Sequence, residues 1–324
     1  MLLSIKHQTD LHYSDYINES VMELRMAPRQ ETHQHRLSFG LAIGPAAKVK
    51  SYFDWLGNSV HAFSINALHD KIQIIATSVV ETSVQPPKLE ALPDIWSKDV
   101  DYDWGLYDFL QFGGPVVDTP ALRDLASSLL DKCSSNGTGP KVGDLARAML
   151  RTIDEDFVYE KGVTTSASPI TEILAHSRGV CQDFAHLMLG LARALKIPAR
   201  YVSGYIHPEK DKYRGYAQTH AWVELYIPSA GWVALDPTNN CIAGQNFVKT
   251  AVGRNYQDVP PNKGVYKGEG AEKIEVFVES EQLEQIPTEL AAEKTEALNI
   301  PVFAGNIEEQ IQQIKQQQEQ QQQQ

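Results

Sequence analysis

The period of the hydrophobic pattern changes at Gln85-Pro86-Pro87, and this change limits the architecture more than any other feature of the chain. Before it, from Met1 to about Thr82, short runs alternate apolar and polar residues between turn signals, at 20–26, 37–43, 49–55, 60–65 and 71–80. Alternation puts successive side chains on opposite faces of a strand, so a series of such runs predicts an antiparallel β-sandwich. Consecutive prolines, followed by Pro93, suit neither a helix interior nor a central strand. The boundary therefore falls between about 85 and 105.

Beyond it the period lengthens. Thr119-Pro120 and Ser168-Pro169 each place a hydroxyl before a proline, which marks a helix start. Leu145, Met149 and Ile153 follow at fourfold spacing within a helix predicted over 142–157, with Ala146 near the same face. Phe184, Leu187, Met188, Leu191 and Leu195 define a second amphipathic helix that Ile197-Pro198 stops. Strands return at 201–206, 220–227, 232–235 and 273–278. Helices followed by an antiparallel sheet define an α+β layout.

The chain of 324 residues is long enough for two cores. The expected division is an N-terminal β-sandwich at 1–95, a mixed helix-and-sheet domain at 96–284 and a polar tail at 285–324. From Gln310 to Gln324, eleven of fifteen residues are glutamine, which cannot enclose a core. Ile307, Ile311 and Ile314 stand at i, i+4, i+7 ahead of it, leaving self-association open beside a solvated tail.

The balance of 29 basic against 41 acidic residues gives a net charge of −12, which argues against nucleic acid or an anionic membrane as partner. No apolar stretch is long enough for a membrane helix. The first residues lack the pattern of a secretory signal, and Cys133, Cys181 and Cys241 are too few and too scattered for a disulfide framework. Free thiols in a cytoplasmic, reducing setting are the expectation.

One of the three sits where chemistry is available. Ser177-Arg-Gly-Val-Cys181-Gln-Asp-Phe-Ala-His186 puts Cys181 where a glycine-containing turn meets the start of the second helix. The positive helix end favours a thiolate there, and its unpaired amides can donate to a developing oxyanion. Most cysteines are simply small buried hydrophobes. A nucleophilic thiol needs a base, and the base needs a group to orient it. Residues 219–238 read as two strands joined by a turn at 228–231, with His220 on the first and Asp236 on the second. If Gly231 takes the left-handed position of a three-residue loop, even-numbered residues share one face, and both side chains point the same way. They remain offset along the strands, so an asymmetric loop or bulge is expected to close the gap. A strand histidine bonded to a carbonyl and an Asp-Pro turn former are the plainer roles. His186, about 140° around the helix from Cys181, is expected to pack or anchor.

The phrases Gly179-Val-Cys181-Gln-Asp-Phe-Ala-His186-Leu, Ile197-Pro-Ala-Arg-Tyr-Val-Ser-Gly-Tyr205, His220-Ala-Trp and Asp236-Pro-Thr238, in this order, resemble the bacterial transglutaminase-like branch of the papain-like thiol fold. The resemblance spans roughly 145–268 and includes Gly253-Arg-Asn-Tyr256, where that branch often has Asp at the position of Asn255. The N-terminal strands resemble the β region that precedes this core in bacterial members. The resemblance implies a papain-like core and a triad of Cys181, His220 and Asp236. It also leaves Tyr159, Tyr205 and Trp222 as candidates for substrate or oxyanion contact. It implies peptide or amide hydrolysis through a thioester, with a protein or peptide substrate; the sequence carries no metal-ligand cluster, phosphate-cradling glycine loop or calcium-loop spacing, so no cofactor or metal is expected. Amine transfer, as in a cross-linking transglutaminase, is the alternative, and a binding module with a relict site is the non-enzymatic one.

Overall fold

The structure, a computed structural model, describes residues 1–99, 102–134, 139–208, 219–287 and 294–302. In chain order the first strands are β1 (Leu2–Ile17), β2 (Glu19–Leu24), β3 (Gln34–Gly44), β4 (Lys50–Phe53), β5 (Ser59–Ile65) and β6 (His69–Thr82). The middle of the chain forms α1 (Pro120–Cys133), α2 (Val142–Asp156), β7 (Val158–Tyr159), α3 (Ile170–His176), β8 (Arg178–Gly179) and α4 (Cys181–Ala194). Then come β9 (Ala199–Ile206), β10 (His220–Ile227), β11 (Gly231–Asp236), β12 (Cys241–Ile242), β13 (Phe247–Gly253), β14 (Asn262–Lys267), β15 (Glu272–Gln282) and β16 (Lys294–Ala297).

The alternation read from the first third produces the expected sandwich. In β6, Ile72, Ile74, Ala76 and Val80 point inward while the residues between them are more exposed. One sheet has the order β15-β1-β6-β3-β16 and the other β14-β2-β5-β4. Leu11, Met22, Leu24, Phe39, Leu41 and Phe63 fill the space between them. The fold is α+β as expected, but three sandwich strands come from the far end of the sequence. β14 pairs with β2, β15 with β1, and β16 runs parallel to β3. The segment 273–278, expected in the sheet of the second domain, thus closes the first. Part of the polar tail is an edge strand, while the glutamine run and its three isoleucines lie outside the described residues.

Two local expectations divide in outcome. Thr119 caps α1, its Oγ1 accepting Leu122 N–H at 3.2 Å. Ser168 does not cap α3; its hydroxyl accepts Thr165 N–H at 3.1 Å, and the helix begins after Pro169.

The second core lies between α4 and the antiparallel sheet β12-β11-β10-β9-β13. Helix α4 is buried on all sides from Asp183 to Arg193, with Ala221, Val223 and Leu225 of β10 on its sheet side and α1, α2 and α3 also packed on it. At Gly190 an added Cβ would meet Ile170 and Leu122 at 3.1 Å, so glycine sets the helix spacing there. Arg193 is fully buried and donates to the carbonyls of Phe109, Ala199 and Arg254, tying the helix end to three segments. No helix among the described residues is long and apolar enough to cross a membrane.

The two cores are stitched by polar side chains. Asn58 donates through Nδ2 to Val252 O at 2.9 Å and accepts Val252 N–H at 2.8 Å. Gln34 does the same for Lys249, at 2.8 and 2.7 Å. Two buried histidines carry a pH consequence. Burial lowers His7 to about 4; burial, joined by the charge of Arg193, lowers His186 to about 3. The unfolded chain binds protons on these groups near pH 6.5, and the folded chain refuses them. Their contribution is complete above that pH and is lost as pH falls toward 4, at about 1.4 kcal/mol per pH unit for each. Denaturant unfolding between pH 7.5 and 5 should show this decline, and His186→Gln should flatten it. A wild-type stability that does not fall over that interval would contradict it.

Candidate active site

Cys181 is the first residue of α4, and its position is fixed by Asp183, two places on. Asp183 Oδ2 accepts Val180 N–H at 2.8 Å and the Thr164 hydroxyl at 2.6 Å, locking the turn to the helix. The turn must be tight, because a Cβ on Gly179 would lie 2.7 Å from Asp183. The first internal helix bond runs from Phe184 N–H to Val180 O at 3.1 Å. The amides of Cys181 and Gln182 therefore precede the ladder and stand beside the thiol, as an oxyanion requires.

His220 opens β10 and Asp236 closes β11. Gly231 has φ of +70°, and the hairpin pairs Ile227 with Gly231 and Val223 with Leu235, which is the expected symmetric register. Continued one step, it sets Asp236 beside Trp222, two residues from His220. The expected bulge or asymmetric loop is not what joins them. The register is unshifted from Val223 to Ile227, and side-chain reach along the diagonal suffices, since such neighbours lie about 7–8 Å apart. His220 Nε2–H donates to Asp236 Oδ2 at 2.8 Å, with both side chains fully buried. Asp236 also accepts Thr238 N–H at 2.9 Å and Asn239 Nδ2–H at 2.6 Å, so three donors hold it.

Cys181 is close enough to the His220 ring to act on its charge, and because Nε2 is taken, the nitrogen left for the thiol is Nδ1, which is buried and makes no hydrogen bond. Burial alone disfavours the imidazolium. The charge and hydrogen bond of Asp236, with the charge of Cys181, outweigh it and hold His220 well above the ordinary imidazole range. The arrangement is a thiol, an imidazole able to keep a proton, and a carboxylate that fixes the ring.

The remaining candidates separate. Trp222 is 1 % exposed and lies nearly parallel to His220, at 28° and 6.1 Å between centroids, with Phe247 against its other contacts. It shields the base from solvent. Tyr205, offered above for substrate contact, is 2 % exposed and faces the sandwich instead. Its hydroxyl donates to Met26 O at 3.2 Å and shares a 2.9 Å hydrogen bond with His7 Nδ1, so its phenol is consumed in joining the two cores. Tyr159 pairs with Gly179, two residues before the thiol, and its ring meets Phe184 edge-on. His186 anchors rather than catalyses: Nε2 accepts Tyr256 N–H at 3.2 Å. Asn255 uses both halves of its amide, accepting Gln257 N–H at 2.9 Å and donating to Gly113 O at 3.3 Å. An aspartate there could not make the second bond.

Two residues near the thiol were not singled out from sequence. Tyr201 is buried, and its phenol is raised well above its usual range by burial and then by the charge of Cys181. Tyr256 is raised by burial and by the same cysteine, and Gln182 hydrogen-bonds it. Both lie inside the quoted phrases, but nothing in their spacing distinguishes them from core aromatics.

Thiol reactivity follows from these surroundings. Burial and Asp144 push the Cys133 thiol up, and its Sγ donates to Asp144 O at 3.8 Å. Iodoacetamide at neutral pH should modify Cys181, beside His220, first, with Cys133 and Cys241 slower; mass mapping that finds Cys241 ahead of Cys181 would refute it.

The fold and this site define the transglutaminase-like class. Residues 127–237 match the transglutaminase-like superfamily core, and residues 3–81 match the bacterial transglutaminase-like N-terminal region. The chain belongs to that superfamily. An uncharacterized protein of Mycobacterium leprae is 32% identical over 284 residues, covering 87% of this chain and 99% of its own length. A protein-glutamine gamma-glutamyltransferase of Pseudomonas aeruginosa is 34% identical over 132 residues, 38% of this chain and 19% of its own. Among solved structures, a candidate cysteine protease from Cytophaga hutchinsonii superposes with a TM-score of 0.71 at 23% identity, covering 89% of this chain and 93% of its own, which supports the shared fold.

Proposed function

We propose that the protein is a thiol enzyme that cleaves amide bonds through a thioester on Cys181. The observation that carries this reading is the His220 ring, held at Nε2 by Asp236 and left with Nδ1 for Cys181. The thiolate attacks a carboxamide or peptide carbonyl, and the oxyanion forms beside the amides at the start of α4. His220 then gives its proton to the departing amine, leaving an acyl group on sulfur. With His220 acting as base, water attacks the thioester and releases the acid.

A second reading shares every step but the last. If a primary amine replaces water, the product is a new amide and the protein is a transglutaminase. The similarity over 132 residues to the Pseudomonas aeruginosa gamma-glutamyltransferase favours keeping it. Incubation with a peptide library, with and without a primary amine, and mass spectrometry of the products separates the two. Cleaved or deamidated peptides alone support hydrolysis, and amine-bearing products support transfer. Absence of both would overturn the thiol-enzyme reading.

A further inference from the structure

We propose that the open side of the sandwich next to Tyr256 is a docking groove for an extended stretch of polypeptide, which adds to the free edge of β14 and delivers its acyl group to Cys181. The proposal rests on the acyl-transfer reading for its purpose, but its geometry stands apart from it.

Among the described residues β14 is the terminal strand of its sheet, with β2 as its single neighbour. Arg25 N–H donates to Pro261 O at 2.8 Å, which makes 261 and 25 a hydrogen-bonded pair and fixes the parity of the ladder. Antiparallel pairing then turns the main-chain groups of 263 and 265 toward β2 and those of Asn262, Gly264 and Tyr266 away from it. The outward groups recur about every 6.8 Å, two residues of extended chain. Only another extended main chain presents donors and acceptors at that repeat, and strand addition to an exposed edge is the recurring way to satisfy them.

The strand is solvent-exposed over most of its length, with Val265 70 % exposed. It borders a cavity of about 530 Å³ that Asn262, Gly264 and Tyr266 line together with Ala167, Tyr256 and Glu272. Two of these walls lead to the thiol. Tyr256 is hydrogen-bonded by Gln182, the residue after Cys181. The loop bearing Ala167 is tied to α4 through the Thr164 to Asp183 bond. A chain lying on β14 therefore runs between the sandwich and the start of α4. In this arrangement the strand returned from the far end of the sequence gives the N-terminal sandwich a part in substrate binding.

Binding is measured in the full chain carrying Cys181→Ala, so that the result does not depend on turnover. The probe is fluorescein-labelled casein, an unfolded polypeptide, followed by its tightest-binding twelve-residue fragment and copies N-methylated at one residue at a time. Ala167→Trp, which fills the groove, should weaken binding at least tenfold. Ala121→Trp, on the exposed face of α1, should change it less than twofold. N-methylation should weaken binding at alternate residues only, by tenfold or more. The groove is refuted if Cys181→Ala protein does not bind the probe, if Ala167→Trp binds as well as its parent, or if the N-methyl effects lack the two-residue period. Binding with this pattern in a protein whose wild type turns over no amide would keep the groove and overturn the acyl-transfer reading.

Discussion

Cys181→Ala and His220→Ala should each lower turnover by on the order of 10⁴-fold or more while the protein stays folded, and the double variant should be no worse than either alone. The first removes the nucleophile. The second removes the group that both activates the thiol and protonates the leaving amine. Because the two act as one unit, their losses do not add. Asp236→Asn should cost less, on the order of 10³- to 10⁴-fold. The new amide can still accept Thr238 N–H, but with its nitrogen on the other side it faces His220 Nε2 and Asn239 Nδ2, both donors toward the present carboxylate. His220 must then change tautomer or turn, and Nδ1 loses its proper role toward Cys181. Turnover of an amide found by the library assay, measured beside the melting temperature of each variant, checks this. Ordinary activity in Cys181→Ala would end the thiol mechanism.

The largest expected effect on stability lies four residues from the base, on the same strand. Glu224 is 3 % exposed, accepts Arg200 Nε–H at 2.6 Å through Oε2 and pairs with Lys249 through Oε1. Burial alone would raise its carboxyl, yet the two cations outweigh it and hold the group below the usual range. Lys249 reaches on to Glu31 of the sandwich at 2.6 Å, so the carboxylate also sits in the joint between the cores. Removing it in Glu224→Ala strands the Arg200 guanidinium and leaves Lys249 with Glu31 alone, at a cost of about 3–5 kcal/mol. In a protein of this size that corresponds to a fall in melting temperature of roughly 4–7 °C. Adding Lys249→Met to Glu224→Ala should recover part of the loss, since it removes one of the two cations that the carboxylate had neutralised. A fall under about 2 °C in the single variant would show that the cluster is hydrated and contributes little.

What the sequence disclosed follows the range of the interactions involved. The position of Cys181, the Gly231 turn and the shared face of His220 and Asp236 are set within a few residues, and each was legible from spacing. So was the cap at Thr119, whereas Ser168 found a nearer backbone partner in Thr165 and left the helix start to Pro169. The strand β1 was not singled out because its inward residues include His7 and Thr9, which blur a hydrophobic alternation. The return of β14, β15 and β16 to the sandwich was not legible at all. Pairing of Val278 with His7 or of Val265 with Val21 is a contact across more than two hundred residues, and neither strand carries a local mark of its partner. For the same reason Tyr205 looked available to substrate. Its partners, His7 and Met26, are brought to it by the docking of the two cores rather than by anything near it in sequence. The expected bulge between His220 and Asp236 is absent for a different reason: the imidazole and carboxylate side chains span the diagonal offset that the unshifted register leaves.

The central claim is that Cys181 carries the acyl group during turnover. Acid quenching of the protein with an amide that it turns over, followed by peptide mapping, tests it directly. The account predicts a transient mass addition equal to the acyl fragment, located on Cys181, released by hydroxylamine and absent from Cys181→Ala. Continued turnover with no adduct on Cys181, or an adduct of the same lifetime on Cys133 or Cys241, would contradict it.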